Sequence, residues 1–470
     1  MRASLFNKKD VDMTKGSIPK LILGFFIPMA IGLFLQQLYN SVDMIIVGQF
    51  ASSQSMAAVG GTGTITNTFV MFCSGISIGA SVIISQYYGK NDSVNIKKAV
   101  ASSVVLALIM SAIMTVLGLI LARPMLVLMK SNDDIINLAT TYLLIYFAGV
   151  SGVIMYNMLT SIFRAVGDST RPLIYLVISS VVNIILDLLF VAVFKMGVVG
   201  AAVATIIAQF VSAIAAFIYL IKVDRDYRID LKNLKMDKQI TKSIILVGLP
   251  TGIQSSITGI SNTFIHSYIN VFGSNYESGF SIFVKLDHFI TVFQTSFGYA
   301  ITSFVGQNVG ANRIKRACKG VSFTLIASLV VTAFVILPVV FFAQPLSLAF
   351  TPDVAVTKAA QYIIVLITPF QMFTSINATF MAALRGYKKT KVSMFIVIST
   401  FVLYRIAHMS IASKVLPNQI LPILLAFPFA WIIAALAHTI AWICCPIFKA
   451  NRKLRNHPEL ENLTIEEILS

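Results

Sequence analysis

Residues 20–48 read KLILGFFIPMAIGLFLQQLYNSVDMIIVG. Between Leu21 and Leu35 every residue is apolar, Gly or Pro, and the polar side chains Gln36, Gln37, Asn40 and Asp43 enter only afterwards. About 20 apolar residues in a helix rising 1.5 Å each cross the hydrocarbon of a bilayer. A helix is the form such a run must take, because lipid offers no partner to unpaired backbone groups. The run is too long for the core of a cleavable leader and the tail before it is polar, so it reads as a mature span. Eleven further runs follow, at roughly 57–86, 97–121, 136–162, 172–194, 198–222, 243–271, 279–306, 317–342, 358–383, 391–414 and 419–448. The expected fold is an all-α membrane protein of twelve transmembrane helices. Several runs exceed the bilayer thickness, so tilts and kinks are expected.

Composition agrees. Of 470 residues 57% are hydrophobic and 12% charged, with a mean hydropathy of +0.84, whereas a soluble domain carries roughly 25% charged residues. The net charge of +17 raises nucleic acid, anionic lipid and acidic ligands as partners. The position of the charge decides among them. With the N-terminus inside, 29 of the 36 Lys and Arg fall in cytoplasmic segments and 5 outside, while Lys285 and Arg405 lie within spans. This is the positive-inside pattern, and it predicts both termini in the cytoplasm of a cell-membrane protein touching anionic headgroups, with no nucleic acid. Cys73, Cys318, Cys444 and Cys445 show no metal-like spacing and read as packing residues.

The two halves repeat at an offset of 221 to 222 residues. Pro28 falls on Pro250, Asn40 on Asn262, Gln86-Tyr-Tyr-Gly89-Lys-Asn91 on Gln307-Asn-Val-Gly310-Ala-Asn312, and Arg164 on Arg385. Six spans per copy give both copies one orientation, hence two six-helix bundles related by a pseudo-two-fold axis along the membrane normal. The organisation read from this is a tail 1–19, an N-lobe 20–222, a polar linker 223–242, a C-lobe 243–448 and a tail 449–470. Two such lobes would enclose a cavity and rock about it, and the matched prolines supply a kink in each.

The chain resembles the multidrug and toxic compound extrusion (MATE) family along essentially its whole length. The similar elements are Pro28 with Gln36-Gln-Leu-Tyr-Asn-Ser-Val-Asp43, Ser85-Gln-Tyr-Tyr-Gly-Lys-Asn91, Phe163-Arg-Ala-Val-Gly-Asp-Ser-Thr-Arg-Pro172, Asn183-Ile-Ile-Leu-Asp187 and Val305-Gly-Gln-Asn-Val-Gly-Ala-Asn312. The resemblance implies secondary active efflux of organic, often cationic and aromatic, compounds against protons or sodium. It is nearest the DinF-like branch, since Asp43 and Asp187 match that branch's acidic positions. The C-lobe copies are Ile265 and His408, and Phe370-Gln-Met-Phe-Thr-Ser-Ile-Asn377 holds no acid. The family's polar network would correspond to Tyr39, Asn183, Asp187 and Thr205.

The residues themselves point to the same place. An ionisable group inside a span marks a functional site, because its burial costs several kcal/mol unless it is paired, protonated or wet. Asp43 and Asp187 both fall in the outer halves of their spans, with Gln36, Asn40 and Asp43 on one helical stripe and Asn183 one turn from Asp187. Thr205 in span six lies near the depth of Asp187. A carboxyl that is neutral when enclosed and charged when wet can carry a proton, and the same oxygens could hold sodium. No other metal and no cofactor is expected.

Other features read as structural. Lys285, Asp287 and His288 suggest a local polar cluster, His266, His408 and His438 packing, and Gly60-Gly-Thr-Gly63 close helix contact rather than a phosphate cradle. Arg405 near the midplane is left between pairing and substrate contact. No ATPase motif or catalytic constellation occurs, so an enzyme is not expected. A lipid-linked oligosaccharide flippase of the same superfamily and, further off, a passive channel are the rival readings of a chain expected to work as a monomer on small organic substrates.

Overall fold

The apolar runs become long helices, each ended by a local device. The structure, a computed structural model, describes residues 11–129 and 133–469. In the first half these are α1 (Ile18–Phe50), α2 (Ser53–Gly89), α3 (Ser93–Leu128), α4 (Asp133–Ala148), α5 (Val150–Ala165), α6 (Thr170–Asp187) and α7 (Gly197–Lys222). The second half holds α8 (Lys238–Asn270), α9 (Ser274–Gly310), α10 (Ile314–Phe341), α11 (Ala343–Leu348), α12 (Val354–Ile367), α13 (Gln371–Gly386), α14 (Thr390–Val397), α15 (Arg405–Val415) and α16 (Ile420–Ile443), then α17 (Pro446–Asn456) and α18 (Ile465–Leu469). No strand occurs among the described residues.

Among the described residues ten helical segments are long and apolar enough to span, and α4 with α5, bent by 49° across Gly149, supply an eleventh. The twelfth expected span is α9, which has the length but is diluted by Lys285, Asp287, His288 and Gln294. Span four, read as one run, is thus a broken helix. A Cβ on Gly149 would lie 2.2 Å from the Ile206 side chain, so the bend brings its backbone hard against α7.

The repeated motifs turn out to be chain reversals. Asn91 and Asn312 take φ of 57° and 55°, the left-handed conformation that Asn tolerates better than most residues, and so close the turns after α2 and α9. Gly167 has φ 83° and lets Asp168 cap α6: its Oδ1 accepts from the backbone N–H of Thr170 (2.9 Å) and Arg171 (3.1 Å), and its Oδ2 pairs with the Arg171 guanidinium, which also covers the Tyr219 ring at 4.3 Å.

The described residues form two compact units, one of the residues up to 16 with those between 27 and 252, the other of residues 17–26 with those from 253 onward. The change of unit falls beside Pro28 in α1 and beside Pro250 in α8. Within the first unit α2 crosses the start of α8 on four glycines spaced i, i+4: Gly75 and Gly79 against Gly248 and Gly252. A Cβ on Gly75 would stand 2.2 Å from the Gly252 nitrogen, and one on Gly79 2.7 Å from the Gly248 Cα. Small residues let membrane helices approach this closely. The close contact expected of Gly60, Gly61 and Gly63 is not there, since nothing lies within 4 Å of a Cβ on any of them. The polar linker packs on the first unit, with Tyr227 and Ile229 buried in its core. The second unit has its own core around Ile363, Ile364, Ile367, Met409 and Ile423. Large side chains such as Phe334, Phe341 and Val271 are exposed, as a lipid-facing surface allows.

Candidate functional site

In the first unit α1 and α6 bring Asp43 and Asp187 next to each other. Asp187 is fully buried, Asn183 one turn earlier is buried, and Asp43 is half-buried with its Oδ1 enclosed. As carboxylates they have no donor between them, and both Asp187 oxygens and Asp43 Oδ1 lack a hydrogen-bond partner among the described residues. No Lys or Arg there forms an ion pair with either. Asn183 approaches Asp187 from its own helix. Two enclosed carboxylates side by side cannot both keep their charge without a proton or a cation between them.

Asp187 is the last residue of α6, and the next turn, Leu188–Val193, is a π-helix, a local widening that recurs at functional positions. Val191 of that turn meets Ile46, Val47 and Ala201, with Val42 and Ile184 packed alongside, so an apolar cluster lies beside the pair.

The remaining expected residues divide. Tyr39 is half-buried, hydrogen-bonds Gln36 and lies near both carboxylates. Asn40 is exposed and donates to Gln37 Oε1 at 3.4 Å, not to the pair. Thr205 donates to the Ala201 carbonyl in its own helix at 3.0 Å. Two tyrosines not singled out in the sequence join instead. Tyr142 and Tyr146 of α4 are buried and stacked 6.2 Å apart, and Tyr142 lies near Asp43, Asp187 and Tyr39. Two tyrosines one turn apart in an apolar span were the available signal.

In the second unit Lys285, Asp287 and His288 do not form the expected cluster. Lys285 and His288 are exposed, Lys285 lying over Phe350 at 5.5 Å, whereas Asp287 turns inward and accepts from the Gln371 amide. Thr374 Oγ1 donates to Gln371 Oε1 (2.6 Å) or Gln294 Oε1 (2.9 Å), and Gln294 Nε2 to Gln371 Oε1 (3.3 Å). The histidines pack: His438 is buried against the Ala434 carbonyl, His408 contacts the Pro422 carbonyl at 2.9 Å, and His266 stands edge-on to Phe280. Cys73, Cys318, Cys444 and Cys445 are unpaired, and no group of three metal-ligating side chains occurs among the described residues.

Long spanning helices in quantity define a multi-pass membrane protein. The MatE family matches residues 28–189 and 250–409, one copy in each half, and the chain belongs to that family, the multidrug and toxic compound extrusion transporters. It is 31% identical over 309 residues to the probable multidrug resistance protein YpnP of Bacillus subtilis, covering 66% of this chain and 69% of that one. It is 22% identical over 439 residues to a FAD transporter of Shewanella oneidensis, covering 92% and 96%. Among solved structures, an outward-facing multidrug resistance MATE transporter of the MOP superfamily superposes with a TM-score of 0.88 at 23% identity, over 93% of this chain and 97% of that one. At that identity the likeness speaks for the twelve-helix fold.

Proposed function

We propose that the chain exports organic compounds, often cationic and aromatic, in exchange for protons or sodium ions by alternating access, with the Asp43–Asp187 pair as the coupling site. The observation that carries this is a neighbouring pair of carboxyls, with both Asp187 oxygens and Asp43 Oδ1 enclosed and unbonded and no basic partner among the described residues. Such a pair is stable only while it holds a proton or cation, so loading and release can be tied to a conformational change. Asn183 and Tyr39 position it, and Gln36 holds Tyr39. The chain acts in the cell membrane, as a monomer with both termini in the cytoplasm, where its basic loops meet anionic headgroups.

The test is Asp187→Asn in proteoliposomes. Substrate efflux under an imposed pH or sodium gradient should fall to the uncoupled level, with Asp43→Asn giving a partial loss. Undiminished antiport by Asp187→Asn refutes the proposal, and response to only one gradient identifies the ion. The substrate panel should contain aromatic cations and, because the relative matched over 92% of this chain is a FAD transporter, that dinucleotide. Flux independent of any gradient would favour a channel.

A further inference from the structure

We propose that the first unit carries a site for one anionic phospholipid at the start of α8, where Lys238 and Lys242 meet the phosphate and Ile245 and Leu246 an acyl chain. An open cavity of about 330 Å³ lies there, lined by Met236, Lys238, Thr241, Lys242, Ile245 and Leu246. The face of α8 that lines it changes character along its length. Counted from Lys238, the residues Thr241, Lys242, Ile245, Leu246 and Leu249 fall at i+3, i+4, i+7, i+8 and i+11, which is one helical stripe. Its first turn is basic and its later turns are apolar, with Lys238, Lys242, Ile245, Leu246 and Leu249 all exposed. The change comes at residue 243, where the seventh apolar run begins, so the stripe crosses from the depth of headgroups to that of hydrocarbon. The opposite face, Ile240, Ile244 and Val247, is buried in the core of the first unit.

Two observations set this place apart from an ordinary helix start. The first is Thr241, which lines the cavity yet is only 4% exposed, and whose enclosed Oγ1 has no hydrogen-bond partner. A buried hydroxyl in that state is unfavourable until a ligand supplies an acceptor. The second is where free charge remains. Asp237 caps α8: its Oδ1 accepts from the backbone N–H of Gln239 and of Ile240 at 3.0 Å each, and its carbonyl from that of Thr241 at 2.9 Å. Its Oδ2 lies 3.9 Å from Lys98 Nζ. These N–H groups and this carboxylate are therefore engaged already. Lys238 and Lys242 have no carboxylate within 4 Å among the described residues, which leaves two ammonium groups one turn apart for an incoming phosphate.

An anionic phospholipid satisfies every part of this. Its phosphodiester takes both lysines and accepts from Thr241, and its chain covers Ile245 and Leu246. A free phosphate would leave the apolar turns bare, and a zwitterionic lipid brings its own ammonium to the lysines. The first copy does not repeat the site. At the offset that lays Pro28 on Pro250, Lys238 and Thr241 fall on Gly16 and Pro19, while Lys242 falls on Lys20. The site lies on the cytoplasmic side under the orientation proposed above, but its test does not depend on that side.

The experiment uses the full chain in a neutral detergent and reads melting temperature together with retained lipid by native mass spectrometry. Dioleoylphosphatidylglycerol at about ten times its dissociation constant should raise the melting temperature by roughly 3–6 °C over dioleoylphosphatidylcholine. Lys238→Gln/Lys242→Gln should lose both that difference and the retained lipid, and Lys238→Arg/Lys242→Arg should keep them. Lys232→Gln/Lys235→Gln removes the same charge outside the cavity and should keep them too. Thr241→Val should melt above the parent without lipid, since it removes the unpartnered hydroxyl, and should gain less from the anionic lipid. Equal losses in Lys238→Gln/Lys242→Gln and Lys232→Gln/Lys235→Gln, or a rise from inorganic phosphate equal to that from the lipid, overturn the proposal. Because no transport is read, failure of the antiport reading and failure of the lipid site are separate results.

Discussion

Gly75→Ala tests whether the glycine crossing of α2 on α8 is a true backbone contact. The added Cβ would stand 2.2 Å from the Gly252 nitrogen, 2.3 Å from its Cα and 2.8 Å from the Thr251 carbonyl carbon. Ordinary contact begins near 3.4 Å, so the helices must part by at least 1.2 Å (3.4 minus 2.2). Backbone cannot swing away as a side chain can, and a gap of even 0.5–1 Å forfeits about a quarter to a half of each dispersion contact beside it. Overpacking of this kind costs about 1–3 kcal/mol, occasionally more, against a gain of about 1 kcal/mol from replacing Gly by Ala in a helix. The net loss of up to about 2 kcal/mol should lower the melting point by up to roughly 8 °C for a unit of this size. Gly60→Ala is the matched control. With nothing within 4 Å of its Cβ, it keeps only the helix gain and should melt about 2–4 °C higher. Thermal unfolding of the purified protein in detergent reads both. If Gly75→Ala melts at or above the parent, or Gly60→Ala falls with it, the close crossing is wrong.

Asp168→Ala should destabilise by about 3 kcal/mol or more, since it removes the cap of α6 together with a buried ion pair whose side chains are 9% and 13% exposed; Asp168→Asn, which can keep the cap, should lose less in the same melting assay. Tyr142→Phe should leave folding nearly unchanged but shift the pH profile of antiport, as the hydroxyl lies near both carboxylates; an unmoved profile would make Tyr142 a packing residue only. Asp92 accepts from the Asn95 side chain and backbone, which holds its carboxyl below the ordinary value of 3.8. Its contribution is therefore present above that value and lost as pH falls through the depressed one. Asp92→Asn should melt lower than the parent at neutral pH, with the two curves converging in acid.

Much of the site was readable because charge is scarce in an apolar helix. Asp43 and Asp187 stand out in one dimension, and their depths follow from 1.5 Å per residue. What their side chains touch does not follow. Asn40 shares the helical stripe with Asp43, yet a rotation of a fraction of a turn leaves it exposed beside Gln37. Tyr142 is distant in sequence and arrives only because α4 packs in the same unit. Asp287 was grouped with its chain neighbours Lys285 and His288, but adjacent residues on a helix point about 100° apart, and Asp287 alone turns to Gln371.

By itself, the sequence determined that the chain is helical, apolar enough to live in lipid, and duplicated, because transfer of side chains from water and the satisfaction of backbone hydrogen bonds are local quantities that a run of residues carries with it. Only the tertiary structure decided which buried polar atoms share a partner. It alone brought Asp43 and Asp187 side by side, turned Asp287 to Gln371, and placed the tight crossing at Gly75 and Gly79 rather than at Gly60 to Gly63. The reason is that a contact depends on the rotation, bend and spacing of two helices at once, and no single helix contains that information.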